Sequence, residues 1–126
     1  MGEPTAESSV YDVVVVGSGP AGISAAINVA NRQRTVAVMG GQTPFGRLRT
    51  AHAIANYPWF TSVSGEELAE AFVRHLGEFA VPVIQEKASK IIPAEDGFVV
   101  FTEREFYQAR ALVLATGVYR EAVIEG

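Results

Sequence analysis

Gly17, Gly19 and Gly22 stand in the order G-x-G-x-x-G, a spacing at which a backbone can wrap a diphosphate. Gly17 permits a tight turn out of a strand, Gly19 offers no side chain to an approaching phosphate, and Gly22 lets a following helix pack close. The helix N-terminus adds free N–H groups and partial positive charge. Ser18 and Ala21 fill the spaces, and Pro20 costs little in a first turn, where its missing N–H has no helical partner. Other chemistry is scarce. The chain has no cysteine, hence no disulfide, thiolate nucleophile or cysteine-held zinc. His52 and His75 are too few for a histidine metal site, and His75 reads as a partly exposed helix residue. Arg47 and Arg49 are open between an anion contact and solvated surface, with surface favoured for Arg49.

The glycines work only if a strand delivers them and a helix receives them. Asp12 precedes Val13, Val14, Val15 and Val16, a β-branched run without polar alternation that suits a central parallel strand covered on both faces. Pro20–Arg32 follows as an Ala-rich helix ending near Arg32 and Arg34, where cations suit the dipole. Thr35–Met39 is a second buried strand, so Tyr11–Met39 forms one βαβ unit. An acid is expected at that strand's end to bind a ribose hydroxyl. Here Met39-Gly40-Gly41-Gln42 offers none, and Gln42 is the neutral substitute.

The segment 40–58 is long and punctuated by glycine and proline, yet Phe45, Leu48, Ile54, Tyr57, Trp59 and Phe60 argue for order. Phe60 reads as core; Tyr57 and Trp59 are open between core and a wall beside a flat ring. Ser64 and Glu67 make a capping box for a second helix with an apolar stripe of Leu68, Phe72, Leu76 and Phe79. Val81–Gln85 is a short third strand. Ala88–Ile92, Phe98–Thr102 and Phe106–Ala109 predict an antiparallel meander laid as a small sheet on the main one, with Asp96-Gly97 in its first turn. Ala111–Ala115 returns as a buried parallel strand ending in Thr116-Gly117, small residues that let a ligand rest on backbone. The expected fold is therefore α/β, a Rossmann-like parallel sheet with a small antiparallel β-meander. Residues 1–10 read as a polar tail and 11–126 as the domain.

In this order the residues Val13–Gly22, the loop with Phe45-Gly46-Arg47-Leu48 and Asn56-Tyr57-Pro58, the capped helix, the meander and Ala115-Thr116-Gly117 resemble the thioredoxin reductases. More broadly they resemble the flavoproteins with two dinucleotide-binding domains. The resemblance implies FAD as cofactor. It places Gly17, Ser18, Gly19, Pro20, Ala21 and Gly22 on the pyrophosphate and Met39, Gly40 and Gln42 along the adenosine ribose. It places the Val83 backbone near the adenine, Gly46, Arg47, Leu48 and Asn56 toward the flavin, and Ala115, Thr116 and Gly117 closing over the cofactor. Arg47 departs from the family's glutamine. The loop 46–57 lacks the Thr-rich run of NADPH-dependent bacterial enzymes and is closer to the ferredoxin-dependent flavin thioredoxin reductases. The family's redox cysteine pair, its pyridine-nucleotide domain and its closing FAD segment are absent, so the chain reads as the first segment of a discontinuous FAD domain, inactive and weak in retaining FAD by itself.

What this implies is a flavin-dependent disulfide oxidoreductase that passes electrons through FAD to a disulfide on thioredoxin or a similar protein, with NADPH or ferredoxin as donor through the missing region, in a homodimer. Two alternatives stand beside it: a flavin- or nucleotide-binding module or electron relay without disulfide chemistry, and an NAD-linked dehydrogenase, against which the missing ribose acid and the Ala-Thr-Gly exit count. At 126 residues and 48% hydrophobic content the chain suits a single globular domain. The net charge of −4 points away from nucleic acid. No apolar run reaches the ~20 residues of a membrane span, and Met1-Gly2-Glu3-Pro4 opens no signal peptide, so a cytoplasmic address is expected.

Overall fold

Four consecutive valines settle the centre of the molecule. In the computed structural model, which describes residues 10–41 and 44–117, they end strand β1 (Val10–Val16). Val14 and Val15 are fully buried and Val16 nearly so. β1 pairs in parallel with β2 (Val36–Met39) on one side and with β6 (Phe106–Leu114) on the other. Alternate valines serve opposite faces, as the pleat requires. Val15 joins Ile23 and Ala26 of helix α1 (Pro20–Asn31) and Ala69 and Leu76 of helix α2 (Gly65–Glu78) in one cluster. Val14 and Val16 join Met39, Val100, Tyr107 and Ala109 in the other.

The six strands form one sheet in the order β3-β2-β1-β6-β5-β4, with β3 at Val83–Ile84, β4 at Lys90–Ala94 and β5 at Gly97–Phe101. The first four positions give the 3-2-1-4 parallel order of a Rossmann sheet. The α/β expectation holds, with one correction. The meander is not a separate sheet: Phe106–Ala109 and Ala111–Leu114 are one nine-residue strand. Phe106–Ala109 pairs antiparallel with β5 on one side, and Gln108–Leu114 pairs parallel with β1 on the other. Arg110 does not break the strand, because it is exposed and its Nε lies 4.0 Å from Asp12 Oδ1. The meander still covers the face opposite the helices, through Val100 and Tyr107.

Local signals account for most element ends. Ser64 Oγ accepts from Glu67 N at 3.1 Å, capping α2 as its spacing predicts. α1 closes differently: Gln33 takes φ +60°, its N–H donates to Ala30 O at 2.9 Å and Arg34 N donates to Val29 O at 3.3 Å. That is the Schellman pairing with glutamine where glycine is usual. Asp12 ties β1 to the start of β2: Thr35 N and Thr35 Oγ1 donate to its Oδ2 at 2.8 and 3.1 Å. These bonds, the Thr35 backbone N–H foremost, hold the Asp12 carboxyl below its ordinary value.

The segment after β2 is ordered where described. Phe45, only 2% exposed, seals the helix side of the core at φ +62° and stacks against Phe72 at 5.5 Å. A 3₁₀ turn, Leu48–Thr50, follows. Arg49, expected at the surface, instead ties this turn down: it pairs with Glu66 and its Nε donates to Pro44 O at 3.0 Å. Phe60 is half-buried against Tyr57, while Trp59 stands 95% exposed at φ +82°. His75 is exposed, as expected. No helix among the described residues is long and apolar enough to cross a membrane.

Candidate functional site

The carboxyl ends of β1, β2 and β6 converge on the glycine turn. Gly17 N donates to Met39 O at 2.7 Å, Ala115 N donates to Val16 O at 2.8 Å, and Phe45 N donates to Ser18 O at 3.1 Å. The turn is thus held by both neighbouring strands and by the following loop. β1 feeds α1 toward β2, while β6 lies on its other side, so the turn sits at the point where strand order reverses. Open α/β sheets bind ligands at this point.

The three glycines divide their work as the spacing predicts. Gly17 has φ +124°, and a Cβ there would lie 2.0 Å from Ala115 O. A Cβ on Gly22 would lie 2.0 Å from Gly17 O and 3.2 Å from Val15 Cγ1, so only glycine lets α1 sit this close to β1. Gly19 is the opposite case: a Cβ would meet nothing within 4 Å. Its bare backbone faces open space at the N-terminus of α1, where Gly19 is the N-cap without a side-chain cap. The N–H groups there are free to meet an anion. These features fit a diphosphate.

A cleft of about 490 Å³ opens over this turn. Gly17, Ser18, Gly19 and Pro20 form its floor, Met39, Gly40, Gly46, Arg47 and Leu48 one side, and Ala115, Thr116 and Gly117 the other. Gly40 is packed on Ser18, with its Cβ position 2.2 Å from Ser18 Oγ. Arg47 is exposed at the rim. Thirteen sequence positions were expected around FAD besides Ala21, Gly22, Gln42 and Asn56, and of these only Val83 does not line this cleft. Val83 lies on edge strand β3, paired with Val38. Ala21 is exposed, and Gly22 is buried beneath the turn. Asn56 is exposed on its loop and does not line this cleft, and Gln42 lies outside the described residues. The sequence reading missed Lys87 and Ala88, which line the same cleft from the β3–β4 connection. They carry no motif, and only the return of the chain past Gly41 brings them there.

Comparison with known proteins agrees with this geometry. Residues 11–126 match the profile described as pyridine nucleotide-disulphide oxidoreductase. The chain is 28% identical over 121 residues to a thioredoxin reductase of Bacillus subtilis, covering 95% of this chain and 38% of that protein. The crystal structure of thioredoxin reductase from Streptococcus pyogenes superimposes with a TM-score of 0.84 at 35% identity, over 94% of this chain and 39% of that one. A ferredoxin-flavin thioredoxin reductase from Clostridium acetobutylicum gives 0.87 at 34% identity, over 93% and 41%. The chain therefore spans well under half the length of these relatives. By profile, relatives and strand order alike, the chain belongs to the pyridine nucleotide-disulphide oxidoreductase family.

Proposed function

We propose that this chain is the FAD-binding part of a thioredoxin reductase-like flavoprotein. The observation that carries the reading is the meeting of the Gly17–Gly22 turn with the Ala115–Gly117 exit across one cleft, with open space above Gly19. In this reading the α1 N-terminus holds the diphosphate by its N–H groups. Gly17 to Gly22 keep side chains out of its way, with Gly22 setting the helix position and Ala21 at its first turn. Met39, Gly40 and Gln42 lie along the adenosine ribose and the Val83 backbone near the adenine. Gly46, Arg47, Leu48 and Asn56 border the flavin end, where the Arg47 guanidinium brings positive charge. Ala115, Thr116 and Gly117 close the cleft with little side-chain bulk.

Bound FAD supplies two-electron redox chemistry, and the protein orients and tunes it. The chain contains no cysteine, so a dithiol for disulfide exchange lies outside these 126 residues. We take thioredoxin or a similar protein disulfide as acceptor and NADPH or ferredoxin as donor, in a cytoplasmic homodimer. Similarity to both a thioredoxin reductase and a ferredoxin-flavin thioredoxin reductase supports this pair of donors. The test is to purify the protein carrying this chain in full and supply NADPH or reduced ferredoxin with oxidised thioredoxin. Thioredoxin reduction with one donor supports the reading. A flavin-containing protein that reduces no disulfide with either donor favours an electron relay. A protein indifferent to FAD overturns the reading.

A further inference from the structure

A second cleft, of about 1090 Å³, adjoins the first and shares Gly41, Lys87 and Ala88 with it. Its walls carry Glu86 and Lys87 from the β3–β4 connection and Glu103 and Arg104 from the β5–β6 turn. The formal charges of these four side chains cancel. Glu86 Oε2 is sealed from solvent with no hydrogen-bond partner, alone in this among buried side-chain polar atoms of the described residues. The nearby Tyr107 hydroxyl does not serve it, because it donates to Glu105 Oε2 at 3.3 Å. A buried unpaired oxygen costs ~1–3 kcal/mol, so a native structure holding one calls for a donor.

From these observations we propose that Glu86 accepts a ribose hydroxyl of the bound nucleotide, replacing the acid missing at the end of β2. The inference rests on the diphosphate reading of the Gly17–Gly22 turn and adds to it the residue that reads the sugar. The second cleft begins at Gly41, where the chain leaves β2, and a Cβ at Gly41 would lie 3.7 Å from Lys87 Cε. A ligand extending from the diphosphate past Gly41 therefore meets the Glu86–Lys87 pair. Turning the terminal torsion alone would only exchange the two carboxylate oxygens; a change of rotamer at χ1 or χ2 swings the whole Glu86 carboxylate into the cleft it lines, where both oxygens can accept hydroxyl donors. A ribose supplies two hydroxyl donors and no charge, matching a wall whose charges already balance. A ribose 2′-phosphate removes the 2′-hydroxyl donor that Glu86 would accept and offers it only acceptor oxygens, so the site selects unphosphorylated ribose.

Titration calorimetry of the protein carrying this chain in full, freed of flavin, with ADP, 2′-deoxy-ADP, 3′-deoxy-ADP and 2′,5′-ADP tests this, beside Glu86→Ala. ADP binding is expected to exceed that of at least one deoxy analogue and of 2′,5′-ADP by about tenfold, roughly one charge-assisted hydrogen bond. In E86A that preference collapses to within twofold, while affinity for inorganic pyrophosphate stays unchanged. The comparison in the unmodified chain needs no variant, so it holds even if E86A folds poorly; E86A is expected to unfold at an equal or higher temperature, having lost an unpaired carboxylate. Equal binding of all four nucleotides, or an undiminished preference in E86A, overturns the proposal and leaves the diphosphate site standing. Absence of pyrophosphate and ADP binding alike overturns both.

Discussion

Gly19 and Gly22 lie three residues apart in one turn, and a methyl group added to each meets opposite surroundings. At Gly22 the new carbon would stand 2.0 Å from Gly17 O, a backbone atom that cannot rotate aside. That is roughly 1.5 Å inside the ~3.5 Å at which nonbonded atoms settle. Alanine gains ~1 kcal/mol of helix propensity over glycine, but forced overpacking costs ~1–3 kcal/mol or more, and displacement of α1 is the only relief. Gly22→Ala should lose about 1–2 kcal/mol of stability and weaken FAD binding by moving the helix N-terminus. At Gly19, with φ −87° and nothing within 4 Å, alanine strains nothing in the ligand-free chain. Its weaker N-capping and its lower unfolded-state entropy offset each other to within ~0.5 kcal/mol. The methyl instead occupies the approach of the diphosphate, so Gly19→Ala should bind FAD at least tenfold more weakly, or ~1.4 kcal/mol. Urea unfolding and quenching of flavin fluorescence measure the two effects separately. A Gly19→Ala chain that binds FAD like the unmodified one, or a Gly22→Ala chain as stable, would refute the division of labour.

Three further outcomes follow from single side chains. Ser64→Ala removes the 3.1 Å cap on α2 and should cost about 1 kcal/mol in urea unfolding; a cost below ~0.3 kcal/mol contradicts the cap. Trp59→Gly relieves a left-handed residue that is 95% exposed and should raise stability by about 0.5–1 kcal/mol, read as a higher Tm; a lower Tm means the indole is packed. Burial, with Glu105 and Glu86 nearby, pushes the Tyr107 hydroxyl up to about 12. The folded chain then holds that proton more tightly than the unfolded one, so this contribution to stability is complete below pH ~10 and is lost as pH rises from ~10 to ~12. Tyr107→Phe should flatten that slope, and an unchanged slope would place the titration elsewhere.

The parts legible in the sequence were those governed by short-range rules. Val13–Val16 specify a doubly covered strand by composition, and Ser64-x-x-Glu67 marks its helix start. The glycines announce a turn whose geometry only glycine tolerates, as the 2.0 Å approaches at Gly17 and Gly22 show. What stayed hidden depends on contacts between distant residues. Arg110 looks like a break between two strands because its ion pair with Asp12 is invisible along the chain. Arg49 looks solvated because Glu66 and Pro44 reach it only in the fold. Gln33, Phe45, Trp59 and Ala80 adopt positive φ without the glycine or asparagine that would signal it. The cleft wall from Lys87 and Ala88 is set by the path of β3 past Gly41, a tertiary fact with no local motif.

The central claim is that a diphosphate rests on the amides at the start of α1. Backbone amide NMR of the isotope-labelled chain, titrated with FAD to millimolar concentration, tests it most directly. The account predicts saturable shifts concentrated at Ser18, Gly19, Ala21 and Gly22 and at Ala115–Gly117, with β4 and the distal end of α2 unmoved. Amides of the Gly17–Gly22 turn that stay fixed while others shift, or no saturable shift anywhere, would contradict it.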